Sequence, residues 1–297
     1  MRLPVVNHID YFAKIGDDHR FPINKFGELA NYLLKEKIVS KFYKPYPCSE
    51  ETLKRAHSEN YIKQIKNKTL DKISVKKIGF PLVESVVKRS FIATGGTVLA
   101  SKLAMNYGLA CNTAGGSHHA NFESGAGYCV FNDVAVAAKY LLDRNLAKKI
   151  LILDLDVHQG NGNSDIFKNN KNVFTFSMHS KTNYPSKKSI SDLDVELNDN
   201  MEDHDYLEIL KYYLVKLNQE KFDFVFYIAG VDIHFNDRLG KLKISDDGVR
   251  KRDEIVTENF FSRSIPLCGV LGGGYNKDFN KLVELHSILH QSCAKLI

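Results

Sequence analysis

Asp154, Asp156 and His158 stand at alternate positions in the segment Asp154-Leu155-Asp156-Val157-His158. A strand repeats its side-chain direction every second residue, so these three share a face for as long as the strand pattern lasts. Imidazole nitrogen and carboxylate oxygen are both zinc ligands. A third ligand has to come from elsewhere, and Asp232 closes a comparable apolar run. Asp156, His158 and Asp232 plus one open position make a zinc site of the catalytic type. By itself a DxDxH segment is as readily a capped turn or an ion pair; its company decides for the metal. That company is His118–His119, after two glycines and a serine. Buried histidines need partners to fix their tautomers. Asp154, not needed by the metal through its side chain, can orient one of them, and Asn161 can hold the other without adding charge. Tyr275 follows three glycines, which let the backbone approach a ligand and turn the phenol inward. A phenol there can donate to a developing oxyanion.

These groups need a scaffold that gathers them. Apolar runs of strand length cover 109–115, 149–156, 173–178, 223–232 and 265–274. Their apolar residues are continuous, the mark of strands buried on both faces of a parallel sheet. Helical patterns over 24–38, 92–107, 132–145 and 205–219 alternate with them, the last with Asp205 as its expected N-cap. Alternation of this kind gives an α/β fold, a central mainly parallel sheet between two helix layers. Such sheets bind ligands beyond the carboxyl ends of their strands, which is where the polar residues collect. The Lys-rich stretch Lys63 to Lys77 is the nearest thing to a boundary and reads as solvated surface. Residues 1–297 are therefore expected to form one domain.

The chain has 297 residues, 43% hydrophobic and 26% charged, which excludes disordered and disulfide-scaffold classes. The net charge of +6 is spread along the chain and predicts no specific nucleic-acid binding. Cys48, Cys111, Cys129, Cys268 and Cys293 form no CxxC pair. They read as free thiols and place the chain in the cytoplasm. No apolar stretch is long enough to span a membrane, and the N-terminus lacks a signal-peptide pattern.

With these residues assembled, the chain resembles the zinc-dependent histone deacetylases of the arginase/deacetylase fold, most of all their class IV branch. GGSHHANFESGAGYCVFND (115–133), DLDVHQGNGN (154–163), YIAGVDIHFNDRLGKLKIS (227–245) and GGGY (272–275) carry the resemblance, in order and over nearly the whole length. It implies Zn²⁺ on Asp156, His158 and Asp232, and a catalytic His118–His119 pair backed by Asp154 and Asn161. It further implies Tyr275 polarising the acyl carbonyl, and Gly127 and Tyr128 lining an acyl-lysine channel. A structural K⁺ near Asp154, Asp156, His158, Ser177 and Met178 is implied as well. The expected reaction is hydrolysis of Nε-acyl-lysine in a protein or peptide, releasing lysine and a carboxylate. Two departures stand out. Many relatives carry aspartate where Asn161 stands, so His119 should be less basic here. His234 takes a position usually apolar in class IV and is expected at the rim.

Three other readings compete. A binuclear manganese hydrolase of the same fold needs two further carboxylates, where this chain has Gln159-Gly160 and His234. A non-catalytic acyl-lysine reader would not need the full set of catalytic groups. A deacylase of acylpolyamines or another small amide would keep the chemistry and change the substrate. The small residues of GGSHHA and GAGYC suggest a roomy channel and long-chain fatty deacylation beside acetyl.

Overall fold

The computed structural model describes residues 2–297. Seven strands form one sheet: β1 (Val5–Val6), β2 (Leu109–Asn112), β3 (Ile150–Asp154), β4 (Val173–Ser180), β5 (Leu193–Leu197), β6 (Phe224–Ile228) and β7 (Leu267–Val270). Their order is β1-β2-β7-β6-β3-β4-β5, and every pair is parallel. β2, β3, β6 and β7 are buried at every residue, as their unbroken apolar runs require.

The helices are α1 (Lys25–Lys35), α2 (Glu50–Leu53), α3 (Glu59–Asn67), α4 (Lys72–Ile78), α5 (Glu84–Tyr107), α6 (Asp133–Asp143), α7 (Asn161–Phe167), α8 (Asp203–Leu217), α9 (Asp246–Phe261) and α10 (Phe279–Ala294). α5 packs on α6 and α6 on α7, while α9 packs on α8 and α10, and α10 on α1. α5 begins eight residues before the helix read from 92–107. Its first turns carry hydroxyls that the helix itself absorbs: Ser90 donates to the Val86 carbonyl and Thr94 to that of Ser90. The expected N-cap at Asp205 is incorrect. α8 starts at Asp203 with Glu202 at the cap, so Asp205 lies within the first turn. The Asp203 carboxylate is taken up by Ser245, whose N–H and hydroxyl both donate to it. The lysines at 63, 66, 68, 72, 76 and 77 are all exposed on or beside α3 and α4. β1, β5, α9 and α10 had no counterpart in the elements read from sequence.

One buried contact links this frame to the site by way of Asn132, the α6 cap. His57 Nε2 accepts the Asn132 N–H at 2.8 Å, and the Asn132 side chain bonds the Ala120 carbonyl and the Ala135 N–H. Burial lowers the His57 pKa to about 4. A histidine depressed in the folded state contributes stability above its unfolded pKa, near 6.5, and loses it as pH falls toward 4. His57 therefore accounts for about 2 kcal/mol of acid destabilisation between pH 7 and 5. In His57→Gln, whose amide oxygen can still accept the Asn132 N–H, the loss of unfolding free energy over that interval should shrink by this amount. Urea titrations giving equal losses for both proteins would refute it.

Candidate active site

β2, β7, β6 and β3 are consecutive in the sheet, so the loops leaving their carboxyl ends meet over its centre. β3 ends at Asp154; the face shared by alternate strand positions stops there, and Asp156 and His158 lie in the following turn. That turn separates the three side chains. Asp154 faces His118, whereas Asp156 and His158 face Asp232 from the loop after β6. His158 Nδ1 lies 3.0 Å from Asp156 Oδ1 and 3.0 Å from Asp232 Oδ2. Asp156, His158 and Asp232 are all buried, and their potential ligand atoms lie within 4.8 Å of one another.

Backbone donors fix both carboxylates. Asp156 Oδ2 accepts the Gly273 N–H at 2.6 Å, and Asp232 Oδ1 accepts that of Val157 at 3.0 Å. Gly273 has to be glycine for close approach: a Cβ there would sit 2.0 Å from Asp232 Oδ2. Burial opposes charge on His158, but its bonds to Asp156 and Asp232 outweigh it and raise its pKa to about 10. Burial, then the Asp156 charge, raises Asp232 to about 7. A proton held between two carboxylates and an imidazole is what a divalent cation displaces on binding, so these residues fit a metal.

The two neighbouring histidines have different partners. His118 Nδ1 is 2.7 Å from Asp154 Oδ2, and His119 Nδ1 is 2.7 Å from Asn161 Oδ1. Burial works against protonating either ring. For His118 the carboxylates of Asp154 and Asp156 overcome it and raise the pKa to about 9. For His119 burial is reinforced by His118 and His158, and the pKa falls well below the ordinary value. With Asn161 Oδ1 as acceptor, the His119 proton sits on Nδ1 and Nε2 keeps its lone pair.

Residues 19–288 match the histone deacetylase domain. The chain belongs to the histone deacetylase family. An uncharacterized protein of Picosynechococcus sp. is 43% identical over 295 residues, 98% of each chain. Histone deacetylase 2 of Arabidopsis thaliana is 33% identical over 92% of this chain and 73% of its own. The crystal structure of an HDAC homolog complexed with SAHA superimposes with a TM-score of 0.84 at 23% identity. It covers 99% of this chain and 84% of that one. This likeness establishes the arginase/deacetylase fold. The deacetylase family is one of hydrolases, and the buried Asp-His-Asp group is where this member can bind a metal.

Tyr275 closes the opposite side of the deacetylase pocket. It lines one cavity with His118, His119, Asp156, His158, Gly127 and Tyr128. Burial, then the charges of Asp232 and Asp156, push its phenol pKa well above the ordinary value, so the hydroxyl keeps its proton. Gly127 has φ +53°, and a Cβ there would meet His119 Cδ2 at 2.6 Å. Only glycine lets this wall lie flat against the His119 ring.

The expectation of a roomy channel finds no support in this cavity. Its volume is about 40 Å³, space for a few water molecules. Phe21 and Tyr128 are 5.3 Å apart between ring centroids and both stand near Tyr275, at 6.1 and 6.0 Å. The small residues of GGSHHA and GAGYC serve close backbone packing, and bulky aromatics from the N-terminal segment take up the space.

His234 is not a rim residue. It is 1% exposed, with Nε2 2.8 Å from Asp246 Oδ1 and Nδ1 accepting the Asn236 N–H at 3.2 Å. Nε2 fastens the loop after β6 to the start of α9, and Nδ1 braces the loop itself. Sequence reasoning also missed the residues that hold Tyr275. Asp237 Oδ2 accepts its N–H at 2.6 Å, and Arg238 Nε donates to its carbonyl at 2.8 Å. The buried Lys25 ammonium donates to the Gly274 carbonyl at 3.3 Å. Asp133, the first residue of α6, takes the N–H groups of Gly116 and Ser117 and so sets the loop before His118. The signal for Asp237 and Arg238 lay in the quoted segment 227–245, and that for Lys25 in DDHRFPINKF (17–26) near the start.

Proposed function

We propose that residues 1–297 act as one catalytic domain that hydrolyses the amide bond of Nε-acyl-lysine in proteins or peptides, with Zn²⁺ on Asp156, His158 and Asp232. The observation that carries this reading is one cavity lined by Asp156, His158, two differently partnered histidines and Tyr275, with Asp232 buried 3.0 Å from His158 Nδ1. Bound zinc would supply Lewis acidity at the acyl carbonyl and lower the pKa of water there. His119, neutral at Nε2, takes the proton from the attacking water and passes it to the leaving amine. Asn161 holds the ring in that tautomer. His118, bound to Asp154, keeps a positive charge beside the developing oxyanion. The Tyr275 hydroxyl donates to that oxyanion. Gly127 and Tyr128 line the approach of the lysine side chain.

Potassium enters on the resemblance alone. Asp154 and Ser177 are paired across β3 and β4, with Met178 next in the strand, and Asp156 and His158 follow β3. Class IV membership and cytoplasmic placement rest on the sequence motifs and the cysteine pattern. Among the described residues no helix is long and apolar enough to cross a membrane.

The tight cavity favours acetyl over fatty acyl groups. One peptide carrying acetyl-, octanoyl- or myristoyl-lysine, assayed with zinc-loaded enzyme, should rank acetyl first in kcat/KM. A myristoyl rate equal to or above acetyl would overturn the short-chain assignment. Absence of turnover on every acyl-lysine would overturn the function.

A further inference from the structure

Arg89 projects from α5 into the same cavity as the catalytic histidines, between Phe21 and Phe26. It is 8% exposed. Its Nε donates to the Tyr11 carbonyl at 2.8 Å. The guanidinium lies 4.7 Å from the Phe26 ring centroid and 5.8 Å from those of Phe21 and Phe80. Among the described residues its two terminal nitrogens have no acceptor. The nearby Asp133 carboxylate is already occupied by Thr97, Gly116 and Ser117. Burial lowers the Arg89 pKa to about 10, which still leaves it cationic at neutral pH. The other cation here, Lys25, is committed to the Gly274 carbonyl and His286.

A buried charge without a partner is costly. A guanidinium held at Nε with its other donors free presents a fork that matches a carboxylate. We propose that Arg89 makes its side of the cavity a carboxylate subsite, so that the enzyme accepts lysine acylated by a short dicarboxylic acid, malonyl or succinyl. This rests on the acyl-lysine hydrolase reading and names its acyl group. The three phenylalanines strengthen the pairing by keeping water from the fork. The small cavity limits the chain to a few carbons. A neutral acyl tip of the same length leaves the guanidinium unpaired. Hydrolysis breaks the amide C–N bond; hydroxide from water goes to the acyl carbon and a proton to the lysine nitrogen. The products are free lysine and malonate or succinate.

The test uses zinc-loaded protein and one peptide bearing acetyl-, malonyl-, succinyl- or butyryl-lysine. Butyryl matches succinyl in carbon count without its carboxylate. The better of the two acidic groups should exceed butyryl in kcat/KM by about tenfold or more, the effect of a charge-assisted pair. In Arg89→Met that ratio should fall about 10–100-fold, and Arg89→Lys should recover part of it. Because Arg89 also binds Tyr11, Arg89→Met can fail to fold. A binding measurement therefore stands beside it: Tyr275→Phe enzyme should bind the succinyl or malonyl peptide more tightly than the butyryl peptide by fluorescence anisotropy. Acetyl hydrolysis with butyryl equal to or better than both acidic groups, or equal binding of acidic and butyryl peptides, overturns the subsite and leaves the hydrolase intact. No hydrolysis of any of the four overturns both.

Discussion

Tyr275→Phe is expected to lose about 10²–10³-fold in turnover, the usual consequence of removing one oxyanion donor. The substitution deletes a single oxygen. The ring that packs against Phe21 and Tyr128 stays, and so do the backbone bonds to Asp237 and Arg238. KM and thermal stability should therefore change little while kcat collapses. That split separates transition-state stabilisation from substrate binding. The phenol is suited to the task because burial and nearby carboxylates keep it protonated. Zinc-replete Tyr275→Phe with nearly full kcat would remove Tyr275 from the mechanism.

Asp232→Asn should do more harm through the metal than through the fold. The asparagine oxygen can still accept the Val157 N–H, but the site loses one of its two negative ligands. Zinc affinity should drop by more than the roughly 10–100-fold that changes behind the ligands cost, and turnover at limiting zinc should vanish. Stability gives an independent readout. Metal that binds only the folded state raises Tm, so zinc should lift the Tm of the wild type and leave the variant unmoved. Without metal the variant should be no less stable than wild type, because burial and the Asp156 charge already disfavour ionised Asp232. A variant that keeps one zinc per chain after dialysis would contradict the ligand assignment.

Much of this site was legible because its residues cluster in short segments at strand ends. From residue type Asp154 could be read as the partner of one histidine and Asn161 of the other; the structure pairs Asp154 with His118 and Asn161 with His119, both at 2.7 Å. What escaped were groups brought in by tertiary packing. Arg89 sits in a helix whose pattern carries no chemical signature and reaches the cavity only once α5 folds against the sheet, and Lys25 meets the Gly274 carbonyl only once α1 is in place. His234 misled for a related reason. Its position beside Asp232 suggested the rim, whereas its partner Asp246 belongs to the next helix. Strand alternation also ran too far: Asp156 and His158 converge with Asp232 because the strand stops at Asp154. In the fold, the buried strands showed themselves through unbroken apolar runs, while two-residue β1 and the partly exposed β5 were too short or too polar to stand out.

The position of β7 bears on how the molecule is made. It is the last strand synthesised, yet it lies between β2 and β6 near the middle of the sheet. Until residues 267–270 leave the ribosome, β1–β2 and β6-β3-β4-β5 are two half-sheets with open facing edges. Those edges are buried and apolar in the finished protein, and unpaired edges invite association with other chains. Tyr275 follows a few residues behind. The nascent chain thus closes its sheet and delivers Tyr275 to the cavity in the same late step, and premature termination ahead of β7 leaves a fragment with open, adhesive sheet edges.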